Sequence, residues 1–167
     1  MTTREPDSLF APDNFDIADL EDEINADALC NRLLRLFYLY LHEEHNCPPE
    51  EASALTYGAD YFLREFVIGD RQENILRIPP RRVNQFAGNW YIVKNLEPNM
   101  KELTVHLEGI RRFYVYCTAV GLVSPEQAEG IGRECGRATY YRQRIENFWA
   151  LEGDGYFAWD RECPVKD

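Results

Sequence analysis

One short segment, residues 42–47, carries the side chains with the most obvious chemical potential. It reads His-Glu-Glu-His-Asn-Cys, and helical spacing places His42 and His45 on one side with Cys47 at the end. Imidazole and thiolate groups are good zinc ligands. The segment lacks the H-E-x-x-H spacing of metalloproteases, however, and the only other histidine is His106. We therefore interpret it as a solvated helix end and predict no metal site.

The remaining sequence contains no pattern that predicts catalysis. It lacks a G-x-S-x-G turn, a glycine-rich phosphate loop and a G-x-G-x-x-G motif. Carboxylate pairs are plentiful, but none has a neighbour that would separate two pKa values into an acid and a base. We predict a protein that is not an enzyme and needs no cofactor.

A set of basic residues is the second chemical candidate. The chain has a net charge of −11, yet residues 71–151 hold twelve basic and eight acidic residues. Basic groups close to helix starts suit contacts to phosphates. The alternative explanation is an ordinary solvated face with local Glu–Arg pairs. The candidates for nucleic-acid binding are Arg77, Arg81, Arg82, Lys94, Lys101, Arg111 and Arg112.

Apolar residues recur at helical spacing through most of the chain, and no alternating segment is long enough to predict a sheet. The pattern predicts an all-α domain, a bundle of about five main helices. Asn99 and Ser124 each stand three residues before Glu102 and Gln127, which is typical of a capping box at a helix start. The predicted helices cover about residues 19–44, 50–68, 79–95, 99–121 and 124–151.

The two ends of the chain differ from this body. Residues 1–16 are acidic and contain two prolines, so we predict a flexible arm with a few aromatic anchors. Residues 17–151 form the predicted helical domain, and the aromatic tail at 152–167 is predicted to pack on it. Five cysteines without a C-x-x-C pair indicate free thiols. With no apolar signal or spanning segment, the sequence predicts a cytoplasmic protein that does not insert into a membrane.

Four segments in the middle of the chain share a pattern with a known family. They are YGADYFLREF at 57–66, IPPRRVNQF at 78–86, IRRFYVY at 110–116 and GLV at 121–123. Through them, residues 57–126 resemble the N-terminal core-binding, SAM-like domain of tyrosine recombinases and phage integrases. That resemblance implies a four-helix bundle that clamps DNA, joined to a catalytic domain with a tyrosine nucleophile and a His-x-x-Arg motif. Only 41 residues follow Glu126 here and no His-x-x-Arg occurs, so Tyr140 and Tyr141 are not read as nucleophiles.

These observations predict a non-catalytic helical binding module that contacts nucleic acid through its locally basic face. The alternative is a protein-interaction or scaffold module with no nucleic-acid role. A continuous positive stripe would favour the first, and an evenly acidic surface the second. The apolar run at 33–41 also suggests a homodimer formed through the first helix.

Overall fold

The structure is a computed structural model and describes residues 8–153 and 155–163. The described chain is helical without a strand, which confirms the all-α class. Two short 3₁₀ turns, Ser8–Phe10 and Pro12–Phe15, precede seven helices. The helices are α1 (Leu20–Leu39, continued by the π-helical turn Tyr40–Glu44), α2 (Pro49–Asp60, continued by π-helical Tyr61–Asp70), α3 (Arg81–Gln85, π-helical Phe86–Trp90 and Tyr91–Lys94), α4 (Met100–Ala119), α5 (Pro125–Cys135), α6 (Ala138–Trp149) and α7 (Gly155–Arg161).

The helix count therefore exceeds the predicted five by two. The predicted helix at 124–151 is two helices, because the chain leaves helical geometry at Arg137 between α5 and α6. The Tyr141 hydroxyl donates to the carbonyl of Glu134 at 2.6 Å across this break. The second difference is the tail, in which residues 155–161 form α7.

Helix starts follow their local sequence closely. The side chain of Asn99 accepts a hydrogen bond from the Glu102 amide at 2.8 Å. The hydroxyl of Ser124 accepts from the Gln127 amide at 3.1 Å. Both predicted helix starts and N-caps are confirmed, because a cap needs only residues within one turn of each other. The return contact of a capping box does not form at Asn99, whose backbone amide donates to the Tyr91 hydroxyl at 3.2 Å. The Gln127 side chain donates instead to the carbonyls of Leu76 and Ile78.

The bundle is organised around α4, which packs most extensively on α2. Two glycines lie where these helices cross. A Cβ on Gly109 would overlap the carbonyl oxygen of Leu55, and one on Gly58 would lie 2.7 Å from the Cα of His106. Only glycine allows two helix backbones to approach this closely. The crossing therefore fixes the position of α2 relative to α4.

The beginning of the chain packs on this bundle and corrects the predicted flexible arm. Phe10 and Phe15 are buried in the common core. The amide of Asn74 donates to the carbonyl of Pro12 at 2.9 Å and to Asp16 at 2.8 Å. Residues 8–16 therefore belong to the body, while residues 1–7 of the predicted arm lie outside the described residues.

The end of the chain is held by one aromatic residue of α7. Trp159 is buried, whereas Phe157 is exposed. The Trp159 indole donates to the carbonyl of Arg144 at 2.9 Å, and the Arg144 side chain donates back to the Trp159 carbonyl at 2.7 Å. Residues 164–167 of the predicted tail lie outside the described residues.

Two further expectations concern buried groups and membranes. All five cysteines are free thiols, and all are buried. Cys30 and Cys117 lie in the core, as their apolar surroundings in the sequence predict. In the part of the chain that is described, no helix combines the length and apolar character needed to cross a membrane.

Candidate functional site

The histidine–cysteine segment at the end of α1 does not assemble as a ligand set. His42 uses Nδ1 for a 3.0 Å hydrogen bond with the carbonyl of Cys47. The ring of His45 instead packs against Tyr40 at a tilt of 56°, with centroids 4.4 Å apart. Cys47 is buried, and burial raises the pKa of its thiol. Among the described residues, no group of three or more His, Cys, Asp or Glu side chains is placed to hold a metal ion.

Arg77, the first predicted phosphate contact, is held by the acidic N-terminal segment. Its guanidinium lies 2.5 Å from Asp13 and 3.5 Å from Asp16. The hydrogen bond with Asp13 raises the pKa of Arg77. A phosphate at this place would therefore have to displace two carboxylates.

The position of Arg82 contradicts its predicted contact with a phosphate most clearly, because this residue is not on the surface. Only 5% of the residue is exposed. Its guanidinium donates to both carboxylate oxygens of Glu73, at 2.5 and 3.0 Å, and to the side-chain oxygen of Gln85 at 3.3 Å. Arg82 therefore joins the α2–α3 connection to α3 and is not available to a phosphate.

The two arginines of α4 lie on different sides of that helix. Arg111 is paired with Glu108 through two hydrogen bonds, which raise the pKa of Arg111, and it contacts the α5–α6 side near Cys135. Arg112 interacts with Cys47, on the α1–α2 side. Adjacent positions on a helix point about 100° apart, so the pair does not present one basic face.

The other three candidates are exposed: Arg81, Lys94 and Lys101. No salt bridge within the described chain involves them. Lys94 lies in a pocket beside Glu65 and Asp70, however, so its surroundings are partly acidic. The seven predicted residues therefore do not combine into one unpaired basic surface.

The pocket that contains Lys94 is the arrangement that sequence reasoning missed. It has a volume of about 430 Å³ and lies between the π-helical parts of α2 and α3. A π-helical segment is an irregularity that frequently occurs at functional sites. The lining residues are Tyr61, Glu65, Gly69, Asp70, Trp90 and Lys94.

Aromatic rings and carboxylates share this pocket. The rings of Tyr61 and Trp90 have centroids 5.7 Å apart, and the Trp90 indole N–H has no hydrogen-bond partner in the described chain. Glu65 and Asp70 are exposed, and neither forms a salt bridge there. Aromatic faces and free carboxylates both attract cations, by the ring quadrupole and by charge.

A buried polar cluster supports the pocket from behind. The ring of Tyr61 stacks on His106, with centroids 5.2 Å apart, and its hydroxyl accepts from Asn95 at 3.1 Å. His106 is buried, and burial lowers its pKa, although Glu102 opposes that effect. The Tyr91 hydroxyl donates to Glu102 at 2.7 Å. Burial therefore favours the neutral form of His106, and the cluster fixes the orientation of Tyr61.

The sequence carried only weak signs of this site. Gly69 and Asp70 are typical of a helix end, and Trp90 follows the core spacing of its helix, so each residue has a sufficient structural explanation by itself. Their combination depends on how α2 and α3 approach each other.

Comparison with protein-family models, with curated proteins and with solved structures found no match to this chain.

Proposed function

We propose that the protein is a non-catalytic binding module that accepts a lysine or arginine side chain of a basic protein partner in the α2–α3 pocket. The observation that carries this proposal is the combination of two aromatic rings, Tyr61 and Trp90, with two carboxylates that form no salt bridge in the described part of the chain. The proposal corresponds to the protein-interaction alternative predicted from the sequence.

The energetics of such a contact favour a charged partner. A cation over an aromatic ring gains about 0.5–2 kcal/mol, depending on its exposure to solvent. The net charge of −11 attracts basic partners over longer distances and raises the rate of encounter at low salt. Lys94 opposes a second cation at one edge, so the pocket favours a single basic side chain over a dense basic segment.

A non-catalytic role is supported by the state of the groups behind the pocket. The histidine nearest to it, His106, is only 4% exposed, and burial lowers its pKa. Burial also raises the pKa of Tyr61 and of Tyr91 above the ordinary tyrosine value. His106 and Tyr91 are both buried, so they orient the aromatic wall and do not line the pocket.

Nucleic-acid binding through a recombinase-like core-binding arrangement is the second candidate. It rests on Arg81, Lys94 and Lys101, which are exposed and form no ion pair in the described chain. The buried Arg82 and the paired Arg77 weaken it, because each removes one phosphate contact. A short DNA duplex is therefore included as a competing ligand in the test.

The experiment follows the Trp90 indole signal by ¹H–¹⁵N NMR during titration with an octapeptide that contains one arginine. A peptide with citrulline in place of arginine keeps the shape and removes the charge. We expect saturable shifts with arginine only, weakened more than about tenfold in the Glu65→Gln, Asp70→Asn double variant. The control is Glu126→Gln with Glu146→Gln, two exposed residues, which changes the net charge equally.

Equal weakening in the control, or equal binding of the citrulline peptide, would contradict the proposal. Binding of the duplex that decreases steeply with salt, and is lost when Arg81, Lys94 and Lys101 are replaced by alanine, would support the second candidate instead.

A further inference from the structure

One face of α1 remains exposed along the whole helix and is more apolar than a solvated face requires. Leu20 is 70% exposed, Ile24 is 63% exposed and Leu39 is 43% exposed. Exposed or half-exposed residues follow each other on this face at intervals of four, four, three, four and four. We call this face the α1 stripe, and it consists of Leu20, Ile24, Ala28, Asn31, Arg35 and Leu39.

The α1 stripe differs from the apolar run that suggested a dimer in the sequence. Within that run, Leu33, Phe37 and Leu41 are buried inside their own chain. Their apolar character is therefore explained by the core and requires no second molecule. The exposed leucines and isoleucine of the α1 stripe have no such explanation.

The α1 stripe is symmetric about its own midpoint. In an antiparallel pair of identical helices, a two-fold axis between residues 29 and 30 places Leu20 opposite Leu39. It also places Ile24 opposite Arg35 and the small Ala28 opposite Asn31 at the centre. We propose that the protein forms a homodimer through antiparallel contact of two α1 stripes, which is a self-complementary two-fold interface.

Charge selects the antiparallel arrangement. The first half of α1 is acidic, with Glu21, Asp22 and Glu23 beside Asp27, which is already paired with Arg64 of α2. The second half carries Arg32 and Arg35. Neither arginine forms a salt bridge in the described chain. Antiparallel contact brings each basic half against the acidic half of the other copy. Parallel contact would place acid against acid and base against base.

A groove beside the α1 stripe can accept the exposed Leu20 of a second copy. It has a volume of about 410 Å³ and lies between α1 and α2. Apolar and aromatic side chains on its wall include Leu34, Tyr38, Leu39 and Tyr57. Because Leu39 faces Leu20 of the second copy, that Leu20 reaches this groove, and symmetry repeats the contact at the other end.

The homodimer is independent of the proposed function, because the groove and the α2–α3 pocket share no lining residue. Its test is sedimentation equilibrium of the full chain from about 5 to 200 µM, where a reversible dimer shows a concentration-dependent mass. Ile24→Lys places a lysine opposite Arg35 of the other copy, and we expect dimerisation to weaken more than about tenfold. Adding Arg35→Glu to that variant creates two Lys–Glu pairs and is expected to restore the dimer.

The matched control is Val115→Lys, at an exposed valine of α4, which is expected to leave the dimer unchanged. A wild-type chain that stays monomeric throughout the range would overturn the proposal. So would equal effects of Ile24→Lys and Val115→Lys, or a double variant that remains as monomeric as Ile24→Lys.

Discussion

The two ends of the described chain are both fastened to the bundle by an aromatic residue and an arginine, but in opposite surroundings. At the C-terminal end, the arginine side chain of Arg144 is only 3% exposed. At the N-terminal end, the Arg77 side chain is 50% exposed, and its partner Asp13 is 84% exposed. The C-terminal arginine therefore acts inside the protein, and the N-terminal arginine acts in water.

Burial changes what each arginine contributes. Arg144 donates to the carbonyl of Gly88 at 2.8 Å and to that of Trp159 at 2.7 Å, and its guanidinium lies 4.0 Å from the Trp159 ring centroid. Removing it takes away two buried hydrogen bonds from a charged donor, although the Trp159 carbonyl still accepts from the Glu162 amide at 3.2 Å. Arg77 faces water that can replace its partners. The N-terminal segment therefore depends on Phe10 and Phe15, and the C-terminal helix depends on its arginine as well as on its tryptophan.

The largest expected effect follows from replacing Arg144 with alanine. Two buried hydrogen bonds from a charged donor would be lost, at about 1.5–3 kcal/mol each, so we expect the unfolding free energy to decrease by about 4 kcal/mol. Arg144→Lys keeps the charge but not the forked set of guanidinium donors. Its unfolding free energy should therefore lie between those of the wild type and Arg144→Ala. Urea unfolding followed by circular dichroism measures both.

Arg142→Ala is the control for this prediction, because Arg142 is exposed on the same helix. It should change the unfolding free energy by less than about 0.5 kcal/mol. If the two alanine variants were equally stable, the buried arginine would not hold α7, and the contrast between the two ends would not exist.

The second effect concerns the aromatic anchor of the N-terminal segment. Phe15 is fully buried, and Phe15→Ala should reduce the unfolding free energy by about 3 kcal/mol and expose residues 8–16 to proteolysis. Phe157→Ala makes the same substitution at a residue that is 67% exposed, and it should have little effect. Similar stability of both variants would show that aromatic burial does not fasten the N-terminal segment.

The fold was predictable wherever the cause is local. Asn99 and Ser124 mark helix starts because their hydrogen bonds reach only three residues along the chain. The glycines up to Gly136, which caps α5, mark a weak point in the predicted helix at 124–151. The break itself was not predicted, because the Tyr141 bond to Glu134 forms only once both helices are packed. Local patterns therefore gave the class and most helix starts, while the number of helices depended on packing.

The candidate site was less predictable, because the burial of a basic residue depends on partners far along the chain. Arg82 and Arg81 are adjacent and chemically identical, yet Arg82 is buried on Glu73 and Arg81 is exposed. Arg144 is bound to a carbonyl 56 residues away. No spacing rule separates such residues. The α2–α3 pocket was missed for the same reason, since Tyr61 and Trp90 meet only through the approach of two helices.

The smallest expected effect sharpens the comparison at Arg77 itself. An exposed ion pair gains little from Coulomb attraction in water, and salt screens what remains, since the screening length falls to about 3 Å at 1 M NaCl. Arg77→Ala should therefore lower the urea midpoint far less than Phe15→Ala does, and the difference from wild type should vanish at 1 M NaCl. The effect of Arg144→Ala should persist at the same salt, because its hydrogen bonds to the carbonyls of Gly88 and Trp159 are buried. Arg81→Ala, at a neighbouring exposed arginine, is the matched control. In a variant with Asp13→Asn and Asp16→Asn, adding Arg77→Ala should leave the urea midpoint unchanged. An Arg77→Ala effect that is as large at high salt as at low salt would mean that this arginine acts by packing, and the two ends would then be fastened in the same way.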